Sequence, residues 1–306
     1  MSLKKQTIFI IVALFCTYFF WGSTYLAIRF GIESFPPFLL VGLRFTVAGS
    51  ILYGLLRYYG SPNPTQGQWL SAGALGILLP ALGNGTVTYV QQSVSSSVAA
   101  LSIATVPIWM AIFSSLVGIK NKRHKISRQE WLGIAIGFVG IVLLNMGGSL
   151  HGNFKSALLL IFAAACWSFG SVLGKHIALP AGLMAAASQM LVGGIVMLVA
   201  SLIRGEVWPA TISVKSWWAL AFLIIFSSLV TYSAYMYLLK TVRPLVASSN
   251  TFVNPVVAFI VGIWLANEHI SANEYLALAV ILVGVILVLS SNNENLKLDE
   301  TEIKNA

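Results

Sequence analysis

Ten apolar runs divide this chain, over residues 8–30, 37–58, 69–90, 94–119, 130–146, 155–177, 184–203, 215–239, 245–266 and 273–290, with short polar stretches between them. Each holds about the 20 residues that an α-helix needs to cross roughly 30 Å of hydrocarbon. None shows the period-2 alternation of a barrel strand. The pattern predicts an all-α membrane protein of ten transmembrane helices, with connections too short for an extramembrane domain that has its own core. The first run follows Lys4-Lys5 and continues past Trp21 to Phe30 without an A-x-A-like cleavage site, so it is expected to stay as an uncleaved helix. The polar end, 291–306, is expected to be a disordered cytoplasmic tail.

Composition sharpens this picture. Of 306 residues, 58% are hydrophobic and 9% charged, and the mean hydropathy is +0.85. Soluble domains carry about 25% charged residues, so a water-soluble core is excluded. The net charge of +9 would suit a nucleic-acid partner in a soluble protein. Here the basic residues fall mostly in alternate loops, thirteen of eighteen on one side when the N-terminus is inside. By the positive-inside rule this predicts both termini in the cytoplasm, and no nucleic-acid face remains. Cys16 and Cys166 lie within spans and read as small packing residues.

The chain also matches itself. Tyr89, Val94, Val98, Ala99, Pro107 and Ile112 fall on Tyr237, Val242, Val246, Ala247, Pro255 and Ile260, while Trp21 falls on Trp167 and Glu130 on Glu274. Residues 8–146 and 155–290 therefore read as two copies of a five-helix unit. Five is odd, so the second copy enters the membrane inverted. The loops agree: KNKRHKISRQE (120–130) is strongly basic, whereas ANEHISANE (266–274) has no Lys or Arg. Inverted repeats of this kind belong to secondary transporters, whose substrate site lies near the midplane between the repeats.

Three blocks carry a resemblance: FWGSTYLAIRFGIESFPPFLLVGLRF (20–45), VAALSIATVPIW (98–109) and RPLVASSNTFVNPVVAFIVGIWLANEH (243–269). The chain resembles the EamA-type, ten-helix branch of the drug/metabolite transporter superfamily from about residue 8 to 290. That resemblance implies a bacterial inner-membrane exporter of small metabolites, amino acids or toxic organic compounds among them, working by alternating access. Two positions depart from the family pattern: Asn267 precedes Glu268 where Gly is common, and Ala277 stands where the tenth helix commonly has Gly.

Several polar or bulky groups at membrane depth are candidates for the substrate site. Arg44 is seven residues past Pro37, roughly 10 Å into the membrane at 1.5 Å per residue. An arginine there snorkels outward or faces a cavity, where it would meet a substrate carboxylate or helix-end carbonyls; its second-half counterpart is Gln189. Asn84, Asn250 and Asn254 either bond between helices or meet substrate, as do Tyr89 and Tyr232. Trp21, Tyr25 and Trp167, on the first helix of each copy, pack or line an aromatic cavity wall. Pro107 and Pro255 each remove a backbone donor and either kink their helices for packing or, as the helix-break candidates, interrupt the fourth and ninth helices beside the site. Gly133-x-x-x-Gly137 and Gly170-x-x-x-Gly174 permit close helix approach, within one subunit or in a dimer.

No acidic residue falls mid-span, so coupling candidates are peripheral: Glu33 and Glu268. The four histidines are scattered, no phosphate-binding glycine loop or nucleophile motif is present, and neither metal nor cofactor is expected. The expected function is secondary transport of a small organic solute, with a lipid bilayer as surroundings, a monomer or homodimer as assembly, and no enzymatic activity. A passive facilitator or channel is the alternative, and a lipid-modifying membrane enzyme a more distant one.

Overall fold

The computed structural model describes residues 3–116, 127–146, 154–242, 250–266, 271–284, 286–287 and 290. The candidate Glu268, most of the 120–130 loop and the 291–306 tail lie outside them. Among the described residues there is no strand. The helices are α1 (Leu3–Gly31), α2 (Pro37–Tyr58), α3 (Gln66–Val90), α4 (Ser96–Leu116), α5 (Arg128–Met146), α6 (Phe154–Leu173), α7 (Met184–Ile203), α8 (Val214–Leu238), α9 (Asn250–Ala266) and α10 (Ala272–Gly284). Among the described residues, seven stretches are long and apolar enough to cross a membrane: Gln6–Gly31 within α1, and α2, α3, α4, α6, α7 and α8. Local chemistry sets several starts. Pro37 occupies a first-turn position of α2, where its missing N–H costs nothing. Thr65 and Gln68 close a reciprocal capping box at the start of α3, and the Ser95 and Ser213 hydroxyls cap α4 and α8.

The helices pack in exchangeable pairs. The α2–α7 contact is the most extensive; α1 lies on α8 and α9 as α6 lies on α3 and α4, and α2 lies on α8 as α7 lies on α3. Swapping each helix of the first five with its counterpart in the second five leaves this list unchanged. Small residues allow the closest approaches, since a Cβ on Gly49 of α2 would sit 2.6 Å from the Leu191 backbone nitrogen of α7. A Cβ on Gly284 of α10 would lie 2.7 Å from both the Gly133 carbonyl oxygen and the Gly137 nitrogen of α5. Gly170 and Gly174 face Leu79 and Leu75 of α3. Both GxxxG faces are thus used inside the chain. The outward surface is apolar, with Phe9, Phe15 and Phe19 on α1 and Ile195 and Val199 on α7 exposed, as a lipid-facing belt requires.

Helix irregularity differs from expectation. Pro107 does sit at a break: α4 is interrupted at Ala104–Thr105 and resumes at Val106, so the proline falls in a first turn. Pro255 does not break its helix, because α9 runs continuously through it. The turn before it is held to α1 by the Asn254 amide, which the Asn250 amide in turn supports, so the lost backbone bond is tolerated as neighbouring groups re-satisfy the chain. The irregularity common to both halves lies elsewhere. Ile77–Asn84 in α3 and Leu223–Tyr232 in α8 wind as π-helix, and the internal match superimposes 77–84 on 225–232. Each π segment has one polar side chain returning to the carbonyl five residues back. Asn84 Nδ2 donates to the Leu79 carbonyl at 3.3 Å, and Thr231 Oγ1 donates to that of Phe226 at 2.7 Å. π stretches of this sort are concentrated at functional sites.

Candidate functional site

A cavity of about 90 Å³ opens where α1, α2, α3, α4, α6, α8 and α9 converge. At about 10–15 Å³ per water on this measure, it has room for roughly six to nine waters or a small organic solute. Of the nine residues expected at a substrate site, eight line it: Trp21 and Tyr25 from α1, Arg44 from α2, Asn84 from α3, Trp167 from α6, Tyr232 from α8, and Asn250 and Asn254 from α9. The α4 break contributes Ile103, Ala104 and Val106 to the wall, with Ser168 Oγ of α6 donating to the Val106 carbonyl at 2.9 Å. Neither proline lines the cavity.

The aromatic wall is built across the internal match. Trp21 and Trp167 meet edge to face with ring centroids 5.7 Å apart, and Tyr235 lies 5.0 Å from Trp21. Edge-to-face pairs of this kind favour fixed ring positions. The Trp21 indole N–H donates to the Ser227 carbonyl at 3.1 Å, anchoring α1 on the α8 π segment. Thr24 and Ser227 hydroxyls are 2.7 Å apart at the same contact.

Arg44 is 2% exposed. Its Nε donates to Ser228 Oγ at 2.8 Å and its Nη2 to Ser227 Oγ at 2.6 Å, while its guanidinium carbon lies 4.4 Å from the Phe45 ring centre. Nη1 has no protein partner. The counterpart Gln189 also reaches α8, accepting from Tyr232 O–H at 2.6 Å, and likewise leaves its amide nitrogen unpartnered. One pseudo-equivalent pair of polar groups therefore grips α8, and only the first carries charge.

Asn250 and Asn254 have a second task. The Asn254 amide nitrogen faces the carbonyls of Thr17 and Tyr18 at 3.1 Å each and that of Asn250 at 3.0 Å, with Asn250 Nδ2 donating back at 3.3 Å. Asn254 is thus a bridge from α9 to α1. Replacing it with alanine removes interhelical hydrogen bonds worth about 0.6 kcal/mol on average in membranes, so Asn254→Ala should lower the melting temperature of the purified protein. A normal melting temperature with weakened substrate binding would instead make the amide a ligand group.

Tyr89 does not join the cavity. It lies near the end of α3, with the Arg204 guanidinium carbon 4.6 Å from its ring centre and the Phe38 ring 5.8 Å away. Five residues separate it from Asn84, a rotation of about 140° on an α-helix, which carries it off the cavity face. Glu33 sits at the same end of the molecule, accepting from Lys215 Nζ at 2.6 Å, both half exposed. Sequence reasoning missed Thr24, Ser227 and Ser228. The signal available was a serine pair inside the apolar LIIFSSLV stretch of α8.

A model of the EamA-like transporter family matches residues 8–146 and again residues 154–290. The chain belongs to that family. Escherichia coli K12 has a relative, "Uncharacterized inner membrane transporter YedA", that is 44% identical over 93% of this chain and 92% of its own length. "Uncharacterized transporter YoaV" of Bacillus subtilis is 26% identical over 87% of this chain and 92% of its own. A crystal structure of a protein 18% identical aligns with a TM-score of 0.63, covering 91% of this chain and 96% of that one; at that identity the likeness bears on the fold alone. This EamA-family chain is a multi-pass membrane transporter of the inner membrane.

Proposed function

We propose that this transporter exports a small organic metabolite by alternating access, binding it in the cavity between two inverted five-helix repeats. The observation that carries the reading is the meeting of the counterparts Trp21 and Trp167 in one cavity wall. Secondary transporters place their sites at such a repeat interface near the midplane, formed by irregular helices, and the π segments of α3 and α8 and the break in α4 border this cavity. All ten helices cross the bilayer in this reading, and the basic-loop asymmetry puts both termini in the cytoplasm. Arg44, Trp21, Trp167, Asn84 and Tyr232 form the solute-facing surface, and Pro107 shapes it through the α4 break.

The test is counterflow in liposomes holding the purified protein, using a panel of radiolabelled small organic acids, amino acids and amines. At least one compound should enter saturably and be accelerated by the same unlabelled compound inside. That acceleration requires a binding site that returns faster when loaded. Non-saturating flux, or single-channel currents, would reject the carrier in favour of a channel.

A further inference from the structure

We propose that the cavity selects organic monoanions, small carboxylates with an apolar or aromatic body, over cations and zwitterions; this rests on the cavity being the transport site. Among the described residues, Arg44 is the one charged residue in its lining, and no acidic residue lines it. Three acids whose side chains are described are engaged elsewhere. Glu33 pairs with Lys215, Glu206 accepts the backbone N–H groups of Phe38 and Leu39 at 3.3 and 2.9 Å, and Glu274 accepts that of Ser271 at 2.6 Å. Among the described residues, Arg44 is thus held by two hydroxyls and a ring, with Nη1 unpartnered.

A buried cation without a counter-ion is costly, and the cost falls when an anion joins it. A guanidinium is also the group whose geometry best fits a carboxylate, with charge-assisted bonds stronger than neutral ones. A monocarboxylate brings the site to neutrality. A cationic amine adds a second positive charge beside Arg44, and a zwitterion leaves its ammonium without a carboxylate partner. The Asn250 side-chain oxygen, unpartnered in the same lining, suits a hydroxyl or N–H on the solute. The remaining wall is apolar and aromatic, and the volume limits the body to roughly one ring or a short branched chain.

Benzoate, benzylamine and phenylglycine present nearly the same ring as an anion, a cation and a zwitterion. Quenching of tryptophan fluorescence, with Trp21 and Trp167 in the wall, reports their binding to the purified protein. Benzoate should bind saturably and at least about tenfold tighter than the other two, the scale of one charge-assisted bond. Arg44→Gln should abolish that preference, and Arg44→Lys should retain it at reduced affinity, which separates lost charge from lost folding. Benzylamine or phenylglycine binding as tightly as benzoate, or benzoate affinity surviving Arg44→Gln, overturns the charge selectivity while leaving the cavity as the site. Failure of all three probes to quench wild-type protein, or quenching unchanged by Trp21→Ala, overturns the cavity reading itself.

Discussion

Gly49→Ala should lower the melting temperature by about 2–12 °C, while Gly54→Ala on the same helix leaves it unchanged or slightly raised. The two glycines lie five residues apart in α2 and differ only in what surrounds them. A Cβ on Gly49 would meet the Leu191 nitrogen at 2.6 Å and the Ala187 carbonyl oxygen at 3.1 Å, whereas nothing lies within 4 Å of one on Gly54. Backbone atoms cannot step aside as a flexible side chain can, so α2 and α7 must separate. Forcing a methyl-sized excess into a packed contact costs about 1–3 kcal/mol, and a chain of this length shifts roughly 2–4 °C per kcal/mol. Since α2 and α7 are counterparts, their crossing holds the two halves together, and Gly49→Leu should abolish recovery of folded protein. Thermal unfolding monitored in detergent decides the matter; equal melting temperatures for Gly49→Ala and Gly54→Ala would mean that the close crossing does not exist.

Periodicity and length made most of this fold readable from the chain. The runs at 37–58 and 184–203 coincide with α2 and α7 at both ends, because Pro37 and the polar loops punctuate an otherwise uniform apolar pattern. The cavity lining was readable where a group is chemically out of place in hydrocarbon: Arg44, Asn84, Asn250 and Asn254 all reach it. What a side chain does there was less readable. Asn254 reaches across to the carbonyls of Thr17 and Tyr18, a contact between segments far apart in sequence that no local pattern encodes. Tyr89 shares the apolar span of Asn84 but not its helix face, and rotation about the axis turns it toward Arg204. Pro255 misled because a proline removes one backbone bond without obliging the helix to end. The π segments were silent for a similar reason. ILLPALGN and LIIFSSLVTY share no common residue signal, and the wider winding is closed by side chains, Asn84 and Thr231, that also serve as ordinary helix residues.

A disulfide across the two halves at one end of the molecule should stop transport altogether. Ser34, between α1 and α2, and Ser213, at the start of α8, have hydroxyls 3.3 Å apart, and those of Ser93 and Ser156 are 3.1 Å apart. Each pair joins residues 8–146 to 154–290 at the end where α1, α3 and α7 finish, the outer end on the charge argument. Hydroxyls this close keep the β-carbons within roughly 6 Å, so a small backbone adjustment reaches the 3.5–4.5 Å that a disulfide spans. The native thiols, Cys16 and Cys166, are buried and free, so an oxidant acts on the introduced pair. If access alternates by one half rocking against the other, this end must part once in each cycle. The expected result for Ser34→Cys with Ser213→Cys, and independently for Ser93→Cys with Ser156→Cys, is flux reduced at least tenfold on oxidation and restored by dithiothreitol. Ligand-induced quenching of tryptophan fluorescence should persist in the oxidised form, because the cavity remains reachable from the opposite end. Full flux through both fully cross-linked proteins would show that the halves do not separate here, and the solute would then have to pass through a path that stays open.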